Sequence, residues 1–344
     1  MNNQILLSVC VPTYNRPVQF KRMLMGLMPQ LTDETELVIR DDSPNDETRK
    51  VFDELVEKFK PLAKLNYIQG EKIGLDAANL FLLENAIGKY IWWFSDDDEF
   101  MPGAIAKTLE LIKKYPEITF IWVNFCDFKI IAIDRGDGFF KDRNDVLESL
   151  TIGAIGLLST YFLRREDALM ALPVVKKFVK GFSFASTSVV FYVLTGSGKF
   201  YFLRGPYILC HVSTTVDEIK KSIVPGKKID NKYFNIFGVD FYNIVMEFSD
   251  KFTIHAVRKI LTNSFSCVWR GILVGWIGGW DTPQGKRWKM FKLYWSFPEF
   301  WIAMPLFLLP LWVNKILYKI YKIFFSHRKL VFWENLRLLL KNKK

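Results

Sequence analysis

Residues 90–99 read YIWWFSDDDE: five apolar or aromatic residues, a serine, then four consecutive acids. A short, continuously apolar run suits a strand buried on both faces, as in a parallel sheet. Four acids directly behind such a strand repel one another unless a cation or strong hydrogen-bond donors neutralise them. The same pattern occurs twice upstream. Ile5–Val11 (ILLSVCV) runs into Pro12-Thr13-Tyr14-Asn15-Arg16, and Glu36–Arg40 (ELVIR) runs into Asp41-Asp42-Ser43-Pro44. Between the apolar runs lie stretches of helical spacing: Pro17 to about Pro29 (Phe20, Met23, Leu24, Leu27), Asn45–Phe59 and Asp76–Ile87. A short strand is expected at Leu65–Ile68, a helix at Met101–Tyr115 and a strand at Ile118–Asn124. Alternation at this spacing predicts an α/β fold, an open and mostly parallel sheet with helices on both faces. Ligands of such sheets bind outside the carboxyl ends of the strands, where all three polar clusters fall.

The rest of the chain reads differently. Ile130 to about Arg143 is a Gly/Asp-containing loop, a candidate mobile lid, and strand and helix signals continue to about Val212. Thr214–Val274 looks mainly helical, and WIGGWDTPQG, residues 276–285, is rich in breakers. The expected organisation is therefore an α/β domain over 1–213, a helical extension over 214–282 and a basic amphipathic region over 283–344. The formal net charge of +11 resides in that last region. Its 13 Lys or Arg face only two acids, Glu299 and Glu334, whereas the other 282 residues hold 34 bases and 34 acids. Phe300–Val313 (FWIAMPLFLLPLWV) is 14 residues without a charge, interrupted by Pro305 and Pro310, and shorter than the ~20 residues of a spanning helix. Beyond it Ile316, Leu317, Ile320, Ile323 and Phe324 share one helical face, with Lys315, Lys319 and Lys322 on another. Three readings compete: a helical region in the interface of an anionic bilayer, a tilted or broken transmembrane segment around 297–318, and a helical subdomain docked on the body or on a second copy in a homo-oligomer. A nucleic-acid-binding surface should not be this rich in Leu, Ile and Phe, so no nucleic acid is expected.

Composition narrows the classes further. Half of the 344 residues are hydrophobic and 24% are charged, ample for a large core and unlike a disordered chain. Cys10, Cys126, Cys210 and Cys267 are far apart, which excludes a disulfide scaffold and a Cys-x-x-Cys pair and suits a reducing compartment. The first residues, MNNQILLSVCVPTYN, have no basic n-region and do not read as a signal peptide.

Each polar cluster has a chemical and a plain reading. Hard divalent cations take one or two carboxylates plus substrate phosphates, so the acids after residue 95 suit half of a metal–diphosphate site; the plain reading is a solvated loop capping the helix near Pro102. Asp42 suits the base or ribose of a nucleoside with Tyr14 stacking nearby, or a turn acid capping the Asn45 helix. Arg16 suits a phosphate or open solvent. Gly74, between Lys72 and Asp76, permits close approach of backbone to a ligand. His211, after the apolar run from Tyr207, is either a further cation ligand or a core histidine.

In this order the motifs resemble glycosyltransferase family 2, whose members have the GT-A (Rossmann-like) fold. SVCVPTYNRP looks like the first-strand signature, VIRDDSPNDET the nucleotide-binding acid turn, and GLDAANLFLLENAIGKYIWWFSDDDEFMPGAI the helix, strand and DXD-type metal motif. The compact Gly-x-Asp form and the Trp-containing strand look closest to the abequosyltransferase-like O-antigen and polysaccharide branch. The resemblance implies a metal-dependent, inverting, hexosyl-type transfer from a nucleoside-diphosphate sugar to a hydroxyl of a polyprenyl-diphosphate-linked saccharide in surface polysaccharide assembly. It implies Mg2+ or Mn2+ as cofactor and, with the basic tail, a peripheral position on the cytoplasmic face of the cell membrane. Pro12, Thr13, Tyr14, Arg16, Asp42, Asp76 and Asp96 are then expected around the nucleotide sugar, and Asp97, Asp98 and His211 at the metal. The family's first DXD acid aligns with Ser95. Many members carry a Glu-Asp pair whose Asp is the general base; counting back from Gly196–Lys199 lands on Ser186-Thr187, and Gly181–Leu194 holds no acid. The base is unassigned, with Asp134, Asp137, Asp142, Asp217 and Glu218 as candidates. Two rivals are a catalytically inactive, membrane-bound nucleotide-binding scaffold and a nucleotidyltransferase; the second should show a glycine-rich phosphate loop that PTYNRP lacks.

Overall fold

A computed structural model describes residues 4–127, 130–131, 133–177, 184–210, 235–278 and 286–317. The chain divides into two compact units, Met1–His211 and Val212–Lys344.

In the first unit the described residues build one ten-stranded sheet: β1 Leu7–Thr13, β2 Thr35–Asp41, β3 Lys64–Gln69, β4 Tyr90–Trp93, β5 Glu99–Phe100, β6 Ile118–Asp127, β7 Ile130–Ile131, β8 Gly138–Phe139, β9 Tyr161–Arg164 and β10 Lys199–Leu209. Its main path is β3-β2-β1-β4-β9-β6-β10-β5. The helices are α1 Pro17–Leu27, α2 Glu47–Phe59, α3 Leu75–Asn85, α4 Ala104–Lys114, α5 Arg143–Ser149, α6 Ile152–Ile155, α7 Arg165–Met170, α8 Leu172–Val175 and α9 Ala185–Thr195. β3, β2, β1 and β4 pair in parallel, as does β6 with β10, so their carboxyl ends share one edge. Every residue of β1, β2 and β4 is buried, the physical reason their sequences run apolar without alternating.

The α/β expectation holds, with one correction of topology. Residues 161–164 (YFLR) form an antiparallel strand inserted between β4 and β6, matching Trp92 with Phe162 and Trp122 with Tyr161. The insertion makes the core around Trp92, Trp93, Trp122, Tyr161 and Phe162, all fully buried. Pro12 sits inside a central strand without breaking it, because β1 pairs with β4 only through Cys10 and its missing N–H faces a side where the ladder has ended. The described part of the segment expected as a mobile lid makes tertiary contacts. The Asn124 side chain bonds both backbone groups of Ile133 at 2.7 and 3.2 Å, and Arg135 reaches Ser149 at 2.9 Å and Asp145 at 3.1 Å.

The second unit is helical where it is described. Ile254–Gly278 is its longest helix, followed by Arg287–Tyr294, Pro298–Leu308 and Leu311–Leu317. Tyr294 is the inner post: its hydroxyl donates to the Gly238 carbonyl at 2.7 Å and its ring lies 4.8 Å from that of Phe265. Among the described residues no single helix is long and apolar enough to cross a membrane; the pair Pro298–Leu308 and Leu311–Leu317 passes only jointly, bent by 119°. Trp288, Trp295, Trp301, Ile302, Leu308 and Trp312 are each more than half exposed.

Candidate active site

Two adjoining sub-sites occupy the carboxyl edge of β1, β2 and β4. The first starts at the end of β2, where alternation sends Asp41 and Asp42 to opposite faces. Asp41 accepts the Ser43 N–H at 2.8 Å and the Tyr67 hydroxyl, and burial together with that carboxylate pushes the Tyr67 phenol well up. Asp42 accepts from Arg40 Nε at 2.9 Å and from the Ile73 and Gly74 N–H groups at 3.0 and 3.1 Å. Arg40 also donates to the Glu71 carbonyl at 2.7 Å. The buried pair thus folds the 70–74 loop over the strand end. A side chain at residue 70 would meet the Arg40 guanidinium at 2.8 Å, and Gly74 has φ +86°, a conformation glycine adopts without penalty. Tyr14, Asp42, Ser43, Pro44, Gln69, Gly70, Glu71 and Lys72 line a cavity of about 460 Å³. The Lys72 ammonium stands 3.7 Å from the centre of the Tyr14 ring. An aromatic face, an acid and backbone groups around an open cavity suit a planar polar ring with hydroxyls attached, and the lysine suits a nearby negative charge.

The second sub-site is the acid cluster, and its members have different surroundings. Asp96 is buried; Oδ2 accepts the Thr13 hydroxyl at 2.8 Å and Oδ1 accepts Arg16 Nη1 at 3.1 Å. Burial pushes its carboxyl up to about 6, against the opposing pull of Arg16. Asp97 shares Arg16 Nη1 at 3.1 Å, takes the Ser95 hydroxyl, and keeps 15% of its side chain exposed. Asp98 turns inward: Oδ2 accepts the Ser159 hydroxyl at 2.6 Å, and the Cys210 thiol lies against the carboxylate. The carboxylate expected at the metal is thus engaged by Ser159, whose hydroxyl also accepts the Ser95 N–H at 2.9 Å. The alignment of Ser95 with a metal-motif acid also has a consequence here, since Ser95 orients Asp97 by hydrogen bond.

The other expected residues are spread more widely. Pro12 is a buried strand residue. Asp76 accepts the Ala185 N–H at the start of α9 at 2.7 Å, and burial raises its carboxyl. Asp134 is 98% exposed beside Arg204, Asp137 accepts the Arg204 N–H, and Asp142 caps α5 through the Asn144 and Asp145 N–H groups. Local backbone thus engages two of these three candidate bases. His211, Asp217 and Glu218 lie outside the described residues. Sequence reasoning missed Ser159 and gave no role to Lys72 and Arg40, although both stand in stretches it singled out.

Residues 8–166 match the family model described as Glycosyl transferase family 2. That stretch, 159 of the chain's 344 residues, is a glycosyltransferase family 2 segment. It is 29% identical over 107 residues, 30% of this chain and 33% of the relative, to the GalNAc(5)-diNAcBac-PP-undecaprenol beta-1,3-glucosyltransferase of Campylobacter jejuni. It is 25% identical over 119 residues, 34% of this chain and 38% of the relative, to an uncharacterized glycosyltransferase of Haemophilus influenzae. The chain spans about a third of the length of the curated relatives it matches. Among solved structures, S. aureus TarS 1-349 superposes with a TM-score of 0.53 at 14% identity, over 90% of this chain and 78% of that chain. The same protein in complex with UDP-GlcNAc gives 0.50 at 16% identity, over 78% and 75%. At these identities the likeness shows the shared GT-A fold.

Proposed function

We propose that this chain transfers a hexosyl-type sugar, with inversion, from a nucleoside-diphosphate sugar to a hydroxyl of a lipid-linked saccharide. The observation that carries the reading is the adjacency of the two sub-sites: a cavity with Tyr14, Asp42 and Lys72 for the nucleoside, and Arg16 with Asp96 and Asp97 at the neighbouring strand ends for the diphosphate. The relative from Campylobacter jejuni, named for an undecaprenol-linked substrate, supports the lipid-linked acceptor.

Among the described residues no group of three protein ligands for a metal occurs, so a hard divalent cation would rest on two carboxylates and the substrate's phosphates. Asp97 is the accessible carboxylate, Asp96 beside it is raised by burial and by the charge of Asp97, and one or two carboxylates with substrate phosphates are the usual set for Mg2+ or Mn2+. Such a cation, held by Asp97 with Asp96 beside it, would stabilise negative charge gathering on the departing diphosphate. This chain's own part is then to orient. Arg16 places a fixed positive charge at the diphosphate end, Thr13 and Ser95 hold the two carboxylates in their rotamers, and Arg40 with Asp42 keeps the 70–74 loop where it walls the nucleoside. Donor groups fixed in advance cost no reorganisation at the moment of reaction.

The second unit supports placement on a membrane surface, which we take as the cytoplasmic leaflet of the cell membrane. Exposed tryptophans in a region with 13 bases and two acids match a peripheral, interfacial mode better than a spanning one. A shared surface raises the effective concentration of enzyme and acceptor. The testing experiment is a thermal-shift panel of UDP-, GDP-, CDP- and dTDP-sugars with Mg2+ or Mn2+, followed by assay of nucleoside diphosphate release. Stabilisation by one base class with cation-dependent release is expected; no shift with any of the four rejects the reading.

A further inference from the structure

The main-chain carbonyl of Asp97 is held by a side chain from outside its own turn. Residues 95–98 form the turn that carries Asp96 and Asp97, and its closing bond, from the Asp98 N–H to the Ser95 carbonyl, is long at 3.4 Å. A carbonyl at the crown of such a turn needs a donor from elsewhere. For Asp97 that donor is Arg22 of α1, whose Nη2 reaches the carbonyl oxygen at 2.7 Å across 75 residues of sequence. The Nε of the same guanidinium stands 3.0 Å from Glu99 Oε1, with both side chains partly buried.

Arg22 is the first of three residues, on α1 and the 3₁₀ turn after it, that follow the acid segment. At four-residue spacing, side chains 22, 26 and 30 share one helical face. A Cβ added at Gly26 would meet the Phe100 carbonyl oxygen at 2.8 Å, so the helix packs directly on β5. Gln30 donates to the Met101 carbonyl at 3.1 Å and accepts the Ile105 N–H at 3.4 Å. β10 holds the same stretch edge-on. Leu209 pairs with Glu99, Ile208 pairs with Phe100, and the Met101 N–H donates to the Tyr207 carbonyl at 2.9 Å. Residues 99–101 are thus fixed by α1 and β10 together, and Arg22 carries that fixation back to Asp97. Asp97 is therefore gripped at two points: Arg16, just before α1, takes its carboxylate at 3.1 Å, and Arg22 takes its main chain.

We propose that Arg22 is a positioning residue of the transfer, holding the Asp97 main chain so that its carboxylate meets the diphosphate end of the donor in one place. The inference rests on the transferase reading above. An aspartate side chain is short, so its carboxylate goes where its backbone goes. Arg16 alone does not fix it, because the same Nη1 is shared with Asp96 at 3.1 Å and its pull is divided between two carboxylates. A misplacement of about 1 Å at a reacting group costs roughly 10²-fold in rate. The residue type fits the task. A planar guanidinium serves the Asp97 carbonyl and Glu99 at once, whereas a lysine has one compact ammonium for both.

The test separates a positioning residue from a brace of the fold. Arg22→Met keeps the stem and removes both contacts, and Arg22→Lys keeps the charge. Lys21→Met, which cuts an ion pair from the same helix to Glu54, is the control. The probe is whichever of UDP, GDP, CDP and dTDP binds the wild type most tightly, titrated by calorimetry with and without Mn2+, together with its release from the matching sugar donor. Arg22→Met should lose about 10–100-fold in kcat with donor KM little changed, as for other partners that orient a ligand without being one. The gain in nucleotide affinity on adding Mn2+ should shrink, while metal-free affinity stays at the wild-type value. Arg22→Lys should recover part of the lost rate, and Lys21→Met should match the wild type. A kcat for Arg22→Met within about threefold of wild type, with the Mn2+ gain intact, would overturn the proposal. So would a loss of rate matched by a loss of metal-free affinity and melting temperature, the mark of a brace alone. Should Arg22→Met not fold, Arg22→Lys decides: slower release at the wild-type melting temperature supports the proposal, and an unchanged rate overturns it. Wild-type protein inert toward all four donor classes would reject the transferase reading itself, and the role of Arg22 with it.

Discussion

The buried pair Arg40–Asp42 gives the sharpest test of how the nucleoside sub-site is held. Both side chains are under a tenth exposed and meet at 2.9 Å, and the guanidinium also stands 5.0 Å over the Phe81 ring. Arg40→Met keeps most of the stem and removes the charge and all of its donors. Asp42 is then left ionised beneath the 70–74 loop with only the Ile73 and Gly74 N–H groups, and the Glu71 carbonyl loses its partner. Removing one member of a buried ion pair costs about 3–5 kcal/mol, because the survivor is buried without compensation. Asp42→Asn should be costly for the converse reason, since its NH2 faces either Arg40 or the loop N–H groups. In the double variant the Asn oxygen can serve the loop alone, so the two costs should fall short of additivity by about 1–3 kcal/mol. Urea unfolding followed by circular dichroism measures all four proteins. An Arg40→Met cost below about 1 kcal/mol, or strict additivity of the two changes, would refute a dry and coupled pair. Nucleotide affinity should fall alongside stability in Arg40→Met, because the cavity wall formed by Gly70, Glu71 and Lys72 loses its anchor.

Three further outcomes are expected. Asp97→Asn should lower transfer by roughly 10²–10³-fold with the melting temperature little changed, and EDTA should mimic it; full activity in EDTA would exclude metal-assisted departure of the diphosphate. Asp96, raised from 3.8 to about 6 by burial, binds its proton more tightly folded than unfolded, so that stability is fully present below pH ~4 and is lost as pH rises through about 6. Asp96→Asn should then stabilise the metal-free protein at pH 7.5 by up to about 3 kcal/mol, with the gain vanishing near pH 4 in thermal melts; an equal gain at both pH values would contradict the buried-acid assignment. Changing Lys315, Lys319 and Lys322 to Glu should release much of the protein from anionic liposomes, since each base near such a surface contributes about 1 kcal/mol; wild-type protein that fails to float with the liposomes would end the membrane-surface reading.

How much of this was legible beforehand depends on whether the cause is local. β1, β2 and β4 announce themselves because strands buried on both faces must be apolar throughout, and each stops where polar residues begin. β9 does not, since four residues, YFLR, acquire their meaning only from Trp92 and Trp122 on either side. The same limit applies to the lid expected near Ile133. Its glycines and aspartates read as a loop, but the Asn124 and Arg135 bonds that hold it are tertiary.

The acids illustrate the point most sharply. In the sequence Asp96, Asp97 and Asp98 are three copies of one side chain, and repulsion among them is all that can be inferred. In the structure each has a different neighbour: Thr13 from the end of β1, Arg16 from the turn before α1, and Ser159 from the approach to β9. Burial makes Asp96 reluctant to ionise, partial exposure leaves Asp97 available, and Ser159 with Cys210 engages Asp98. Asp76 follows the same rule over a longer span. Nothing near residue 76 signals a partner at Ala185, because what joins them is the packing of α3 against α9. The surroundings of each carboxylate at this edge of the sheet are therefore set by which strand or helix it meets.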